Sequence, residues 1–110
     1  MQHEIREDPT ATVVAFNGDV DLDNSREARD VLLKCVGRGM PILVDLSAVT
    51  YIDSSGVAAL VESLQTARKR GCELSLVSAS ESCMRVLQLA RLDKVFPIFP
   101  DMETALAQSS

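Results

Sequence analysis

The segment Asp53-Ser54-Ser55-Gly56 places a carboxylate and two hydroxyls on three consecutive residues. A serine hydroxyl can act as a nucleophile, cap a helix or accept a phosphate, and its surroundings decide among these uses. Catalysis by Ser55 would need a general base within reach, but the one histidine is His3, near the N-terminus. Neither G-x-S-x-G nor S-x-x-K is centred on Ser55. The sequence therefore predicts a binding protein and not an enzyme.

A second acidic group has the D-x-D-x-D spacing with which calcium loops begin, and consists of Asp19, Asp21 and Asp23. Such a loop requires glycine at its sixth position and a bidentate glutamate at its twelfth, and this chain has neither. We interpret the segment as the end of a strand, with Val20 and Leu22 pointing inward and the aspartates solvated. This acidic rim could meet a basic patch on a partner.

Composition and motifs argue against metals, nucleotides, nucleic acids and membranes. The three cysteines, Cys35, Cys72 and Cys83, show no C-x-x-C spacing, and neither G-x-x-x-x-G-K-[ST] nor G-x-G-x-x-G occurs. The net charge is −5, without a concentrated basic surface. No apolar run approaches the roughly 18 residues that span a bilayer, and the first residues lack a secretion signal. We expect a cytoplasmic protein without cofactor or metal, which neither binds nucleic acid nor inserts into a membrane.

Hydrophobic periodicity predicts the elements that must position the serines. The predicted strands cover residues 3–8, 12–18, 41–46, 73–78 and 95–99. The predicted helices cover residues 24–36, 54–70, 80–90 and about 102–108. Asn24, with Glu27 three residues later, matches a capping box, and Ser80 and Asp101 can cap the last two helices.

The order of these elements predicts an α/β fold. A chain of 110 residues allows one domain, which we expect to cover residues 1–110. The first two strands should form an antiparallel pair, and the apolar run 41–46 should be a central parallel strand. We expect a mixed, mostly parallel sheet of four to five strands packed with about four helices, with right-handed crossovers. The serines then lie where a central strand ends and the second helix begins, a common place for ligands and switches.

A purely structural role explains only part of the segment 53–56. Asp53 or Ser54 can cap the helix, and Gly56 can permit close packing, but Ser55 is left without a structural purpose. A helix start favours a phosphate, so Ser55 is a candidate acceptor. Small and polar residues should form a stripe beside it where a partner could approach the backbone: Ala58, Ala59, Glu62 and Thr66. A dianion within that contact would weaken binding, because it would have to be desolvated.

The string VDLSAVTYIDSSGVAAL, with GDVD at 18–21, resembles the STAS domain of bacterial anti-sigma factor antagonists over nearly the whole chain. The resemblance implies a STAS-like α/β fold. It also implies that Ser55 is phosphorylated by an anti-sigma factor that is itself a serine kinase of the histidine-kinase-like (GHKL) ATPase type. The unphosphorylated antagonist would bind that kinase and free a sigma factor, and a PP2C-type phosphatase would reset the cycle.

The same resemblance assigns a partner surface. Asp53, Ser54 and Gly56 match the residues around the acceptor, and Asp21 matches an upstream aspartate near the partner. With the stripe on the second helix, the predicted partner-binding residues are Asp21, Asp53, Ser54, Gly56, Ala58, Ala59 and Glu62. The family often has a second glycine where this chain has Ala58. Because some members are cytosolic subunits of lipid-transporting ABC permeases, the alternative function is a subunit that docks on a transporter ATPase without a phosphate cycle.

Overall fold

Two consecutive strands, followed by helices and strands in alternation, form one five-stranded sheet packed with helices. The structure is a computed structural model that describes residues 1–109. Its strands are β1 (Gln2–Asp8), β2 (Ala11–Val20), β3 (Ile42–Ile52), β4 (Leu74–Val77) and β5 (Ile98–Phe99). Its α-helices are α1 (Ser25–Val36), α2 (Ser54–Lys69), α3 (Glu81–Leu89) and α4 (Met102–Ser109). The α/β class expected from the sequence, with a mixed sheet of four to five strands and about four helices, is confirmed.

The strands lie in the sheet in their chain order, β1-β2-β3-β4-β5. β1 and β2 form an antiparallel hairpin, and every later pair is parallel. The hairpin turn is held by Asp8, whose Oδ1 accepts hydrogen bonds from the Thr10 amide at 3.1 Å and the Thr10 hydroxyl at 3.0 Å. β3 is therefore central and parallel to both neighbours, as the apolar run 41–46 predicts.

Both faces of the sheet are covered, so β3 is buried along its first half. Ile42 and Val44 belong to the larger core, which also contains buried residues of α1, α2 and α3. Leu43 belongs to a smaller core on which α4 packs through Ala105. Among the helices within residues 1–109, none combines the length and apolarity needed to cross a bilayer.

β3 extends beyond the predicted strand 41–46 and continues to Ile52, immediately before the serines. Its second half pairs with β2 up to Val20 opposite Ile52, through two irregularities in the register. The Asp53 amide then donates to the Val20 carbonyl at 3.3 Å. The ends of β2 and β3 are thus joined where α2 begins.

Two local predictions differ from the structure. Asn24 stands at the N-cap position of α1 but does not cap it, because its side chain accepts from the Asp21 amide and donates to the Asp19 carbonyl. The predicted edge strand 95–99 is reduced to Ile98–Phe99, and a 3-10 turn at Leu92–Lys94 precedes it. Pro97 has no amide hydrogen for a ladder, which accounts for the short strand.

Candidate functional site

Asp53 fixes the start of α2 with both oxygens of its carboxylate. Oδ1 accepts from the Gly56 amide at 3.0 Å, as expected of an N-cap residue. Oδ2 accepts from the Leu22 amide at 3.1 Å, across 31 residues of sequence. Asp53 therefore ties the β2–α1 loop to the first turn of α2, which gives this predicted partner-binding residue a structural role.

Gly56 brings α2 into direct contact with the strand ends. A Cβ atom at this position would lie 2.5 Å from the Val20 carbonyl oxygen and 2.7 Å from Cγ1 of Ile52. Both distances are far below van der Waals contact, so a side chain would push the helix away from the sheet. Gly56 is buried, and its role is to permit close packing.

Ser54 and Ser55 occupy the first turn of α2, where the sequence predicts them. Ser54 is exposed and Ser55 is partly exposed. Within residues 1–109, neither hydroxyl has a hydrogen-bond partner. Their amides belong to the first turn of a helix, which leaves amides without intrahelical acceptors. The Ser55 hydroxyl is thus unused by the fold and lies beside unpaired donors.

A cleft of about 290 Å³ lies beside Ser55, between α1 and α2. Ser55, Ala58 and Glu62 line it from α2, together with Ala59. Three residues of α1 that the sequence analysis missed line the other side: Ser25, Arg26 and Arg29. The sequence does contain a sign of the two arginines: they are three residues apart on a predicted helix, and they directly follow the acidic loop.

Packing of α1 against α2 changes the predicted stripe. Ala59 is only 5% exposed, because it lies at the base of the cleft where the two helices approach each other. Thr66 is partly buried and donates its hydroxyl to the Glu62 carbonyl at 3.0 Å. Ala58 and Glu62 are exposed. The exposed members of the stripe are therefore Ala58 and Glu62, and Ser54 is exposed one turn before Ala58.

Asp21 organises the loop that precedes α1. Its Oδ1 accepts from the Asp23 amide at 3.1 Å, and its carbonyl accepts from the amides of Asn24 and Ser25. Asp19 is used differently, since its Oδ1 accepts the Thr50 hydroxyl at 2.7 Å. Within residues 1–109 no group of three or more potential ligands is arranged to hold a metal ion. These aspartates shape the loop that Asp53 anchors.

The prediction that Leu22 points inward is wrong. Val20 is buried as expected, but Leu22 is 75% exposed. β2 ends at Val20 and residues 22–24 form a turn, so the alternation of a strand no longer applies to Leu22. Tyr51, near the end of the neighbouring β3, is 52% exposed. Leu22 and Tyr51 are thus two large apolar side chains exposed at the carboxyl ends of β2 and β3, where α2 begins.

The three cysteines take no part in this site. Cys35, Cys72 and Cys83 are buried free thiols. Burial raises the pKa of each thiol above its ordinary value, so all three stay protonated at neutral pH.

The model of the STAS domain family matches residues 2–105 of this sequence. The chain belongs to the STAS domain family. This STAS domain is 24% identical over 110 residues to the anti-sigma-F factor antagonist RsfA of Mycobacterium tuberculosis, covering 97% of this chain and 86% of RsfA. It is 28% identical over 97 residues to the anti-sigma-B factor antagonist of Listeria monocytogenes, covering 86% and 85%. The resemblance found in the sequence is confirmed.

Solved structures share the fold of this STAS domain. An anti-sigma factor antagonist from Mycobacterium paratuberculosis superimposes with a TM-score of 0.88 at 24% identity, covering 98% of this chain and 92% of that one. The antagonist SpoIIAA in its unphosphorylated form gives 0.82 at 16% identity, covering 97% and 95%. A sulfate transporter family protein from Wolinella succinogenes gives 0.78 at 20% identity, covering 93% and 86%. The fold therefore occurs in more than one functional class, and the site must be judged by its own residues.

Proposed function

We propose that this STAS domain is an anti-sigma factor antagonist whose binding is switched off by phosphorylation of Ser55. The observation that carries the proposal is the Ser55 hydroxyl, which is partly exposed at the start of α2 and has no hydrogen-bond partner within residues 1–109. Relatives named as antagonists of anti-sigma factors support the class of partner. A phosphate at Ser55 would lie beside the positive end of the helix dipole, where a dianion is favourable.

The proposed partner is an anti-sigma factor that is a serine kinase of the GHKL type. The unphosphorylated chain binds this kinase and thereby frees a sigma factor, and the kinase ends the complex by phosphorylating Ser55. A PP2C-type phosphatase removes the phosphate and restores binding. This cycle serves transcription, so we place the protein in the cytoplasm.

The docking surface that we propose combines apolar and polar residues around the start of α2: Leu22, Tyr51, Ser54, Ala58 and Glu62. All five are exposed. Large apolar side chains that are exposed can supply most of the energy of an interface, and the small residues let a partner approach the helix closely. Asp21, Asp53 and Gly56 support this surface by fixing the loop and the helix start. A phosphate placed beside it has to be desolvated when the partner binds, which weakens the complex.

We further propose that the chain is a substrate of its kinase and not a catalyst. A nucleophilic serine needs an adjacent base, and the side chains lining the cleft of Ser55 include no histidine. The nearest carboxylate in sequence, Asp53, already accepts two amide hydrogen bonds. Ser55 is therefore positioned to receive a phosphate but not to be activated by the chain itself.

The decisive experiment incubates the protein with its cognate anti-sigma kinase and ATP and follows intact mass. The wild type and Ser54→Ala should each gain one phosphate, whereas Ser55→Ala should gain none. Ser55→Asp should weaken the complex about tenfold or more, which corresponds to about 1.4 kcal/mol. Normal labelling of Ser55→Ala would refute the assignment. Capture of a transporter ATPase from the source cell, with Ser55 unmodified, would favour the ABC permease subunit instead.

A further inference from the structure

The cleft beside Ser55 contains two arginines whose hydrogen-bonding capacity is largely unused. Arg26 is exposed and forms no ion pair or side-chain hydrogen bond with any residue between 1 and 109. Arg29 lies 3.5 Å from Oε2 of Glu62 and 3.5 Å from Oδ1 of Asp30, both at the outer limit of a hydrogen bond. Its Nε is buried and lacks a partner in the described part of the chain. A buried donor without an acceptor is costly, so Arg29 would gain from a better anion.

The geometry places this pair opposite Ser55. Arg26 and Arg29 are three residues apart and so share one face of α1. Both line the same cleft as Ser55 and Glu62. Ser55 and Glu62 are seven residues apart on α2, which is two turns, or about 10 Å along the axis. Arg29 contacts Glu62 at one end of the cleft, and Arg26 lies one turn nearer the start of α1.

We propose that phosphate on Ser55 is bound by Arg26 and Arg29 of the same molecule, and that Arg29 exchanges Glu62 for it. This inference rests on the proposed function, since it requires phosphorylated Ser55. A phosphate has about twice the charge of a carboxylate and three acceptor oxygens, and the planar guanidinium group matches it with paired hydrogen bonds. The phosphate therefore competes effectively with a carboxylate held at 3.5 Å.

The exchange has a consequence for recognition. In the unphosphorylated chain, Glu62 is held by Arg29 at the margin of the docking surface. When Arg29 turns to the phosphate, Glu62 is released and presents an unpaired negative charge two turns along α2 from Ser55. Phosphorylation then alters the docking surface at two places, and the anti-sigma factor meets a changed charge pattern along the helix as well as the phosphate.

The test uses phosphoserine incorporated genetically at position 55, so that no kinase is needed. Thermal unfolding of phosphorylated and unphosphorylated protein is compared in the wild type and in the variant Arg26→Gln/Arg29→Gln. Phosphorylation should raise the Tm of the wild type by about 4 °C more than that of the variant, which is the shift of a single favourable interaction in a domain of this size. Arg85→Gln is the matched control for the single variant Arg26→Gln, because each removes one positive charge and Arg85 is exposed on α3, outside the cleft.

A second readout follows the phosphate itself by phosphorus NMR during a pH titration. The phosphoserine pKa should be lower in the wild type and in Arg85→Gln than in Arg26→Gln/Arg29→Gln, since nearby cations favour the dianion. Arg26→Gln alone should give a smaller change in the same direction, and it keeps the test informative if the double variant unfolds. Equal Tm increments and equal titration midpoints in the wild type and the arginine variants would overturn the inference. A kinase that fails to label Ser55 would refute the proposed function without affecting this result.

Discussion

Gly56 illustrates how a single residue sets the geometry of the site. The Gly56→Ala substitution should lower the free energy of unfolding by about 1–3 kcal/mol, the usual cost of forcing an atom into a packed region. The new methyl group would meet the Val20 carbonyl at 2.5 Å, and backbone cannot rotate away as a side chain can. Urea denaturation followed by circular dichroism measures the change.

Gly37→Ala is the matched control for this prediction. A Cβ atom at Gly37 would lie 3.4 Å from the Lys34 carbonyl oxygen, an ordinary van der Waals contact, and the φ of −65° at Gly37 suits any residue. Stability should be unchanged or raised by up to about 1 kcal/mol, because alanine restricts the unfolded chain. Equal losses in the two variants would contradict the role assigned to Gly56.

Asp53 joins α2 to the β2–α1 loop through the two oxygens of its carboxylate. The Asp53→Ala substitution should cost about 1–2 kcal/mol for the lost cap. It should also accelerate hydrogen exchange of two amides, those of Gly56 and Leu22, which lose their acceptor. Asp101→Ala removes a cap from α4, where the Thr104 amide donates at 2.7 Å, and should leave exchange at Leu22 unchanged. Unchanged exchange at Leu22 in Asp53→Ala would show that the loop does not depend on this carboxylate.

The cap of α4 should depend on pH. Hydrogen bonds from Thr104 lower the pKa of Asp101 below its ordinary value. A carboxyl group with a lowered pKa in the folded state stabilises the fold above its unfolded pKa, and this contribution is lost as the pH falls through the folded value. Protection of the Thr104 amide should therefore decline in acid below the usual range of aspartate titration. Asp101→Asn, which can still cap but cannot titrate, should abolish the pH dependence measured by NMR.

The elements of this chain differ in how far sequence predicts them. β3 continues to Ile52, beyond the predicted strand, but its start and the extent of α2 were predictable, because an apolar run and an amphipathic period are local signals. The exposure of Leu22 was not, since it depends on where β2 stops, and that point is set by pairing with the long β3 and by the bond to Asp53. The burial of Ala59 was also hidden, because the sequence does not show which flank of α2 receives α1. The exposure of Leu22 and the burial of Ala59 both depend on contacts between elements that are distant in the sequence.

The interactions that we propose lie together at one end of the molecule, at the carboxyl ends of the parallel strands. Parallel strands β2 and β3 end there, α1 and α2 begin there, and the acidic loop lies between them. α3 also begins near this end, where the Ser80 hydroxyl donates to the Val49 carbonyl, and runs back toward the amino ends of the strands. A helix of nine residues spans about 13 Å, so its last residue, Leu89, lies well away from Ser55. The exposed leucines Leu22, where β2 ends, and Leu89, at the far end of α3, thus allow a matched comparison.

Leu22→Ala and Leu89→Ala remove the same atoms from side chains that are 75% and 81% exposed. Neither change should alter stability by more than about 0.5 kcal/mol, because both side chains are largely in water in the free protein. Binding to the anti-sigma factor, measured by calorimetry, should separate them: Leu22→Ala should raise Kd about tenfold, and Leu89→Ala should leave it unchanged. Equal affinities of the two variants would place the partner away from the carboxyl ends of β2 and β3, where α2 begins. The phosphate on Ser55 would then need to act at a distance, which the close packing at Gly56 and the fixed cap at Asp53 make unfavourable.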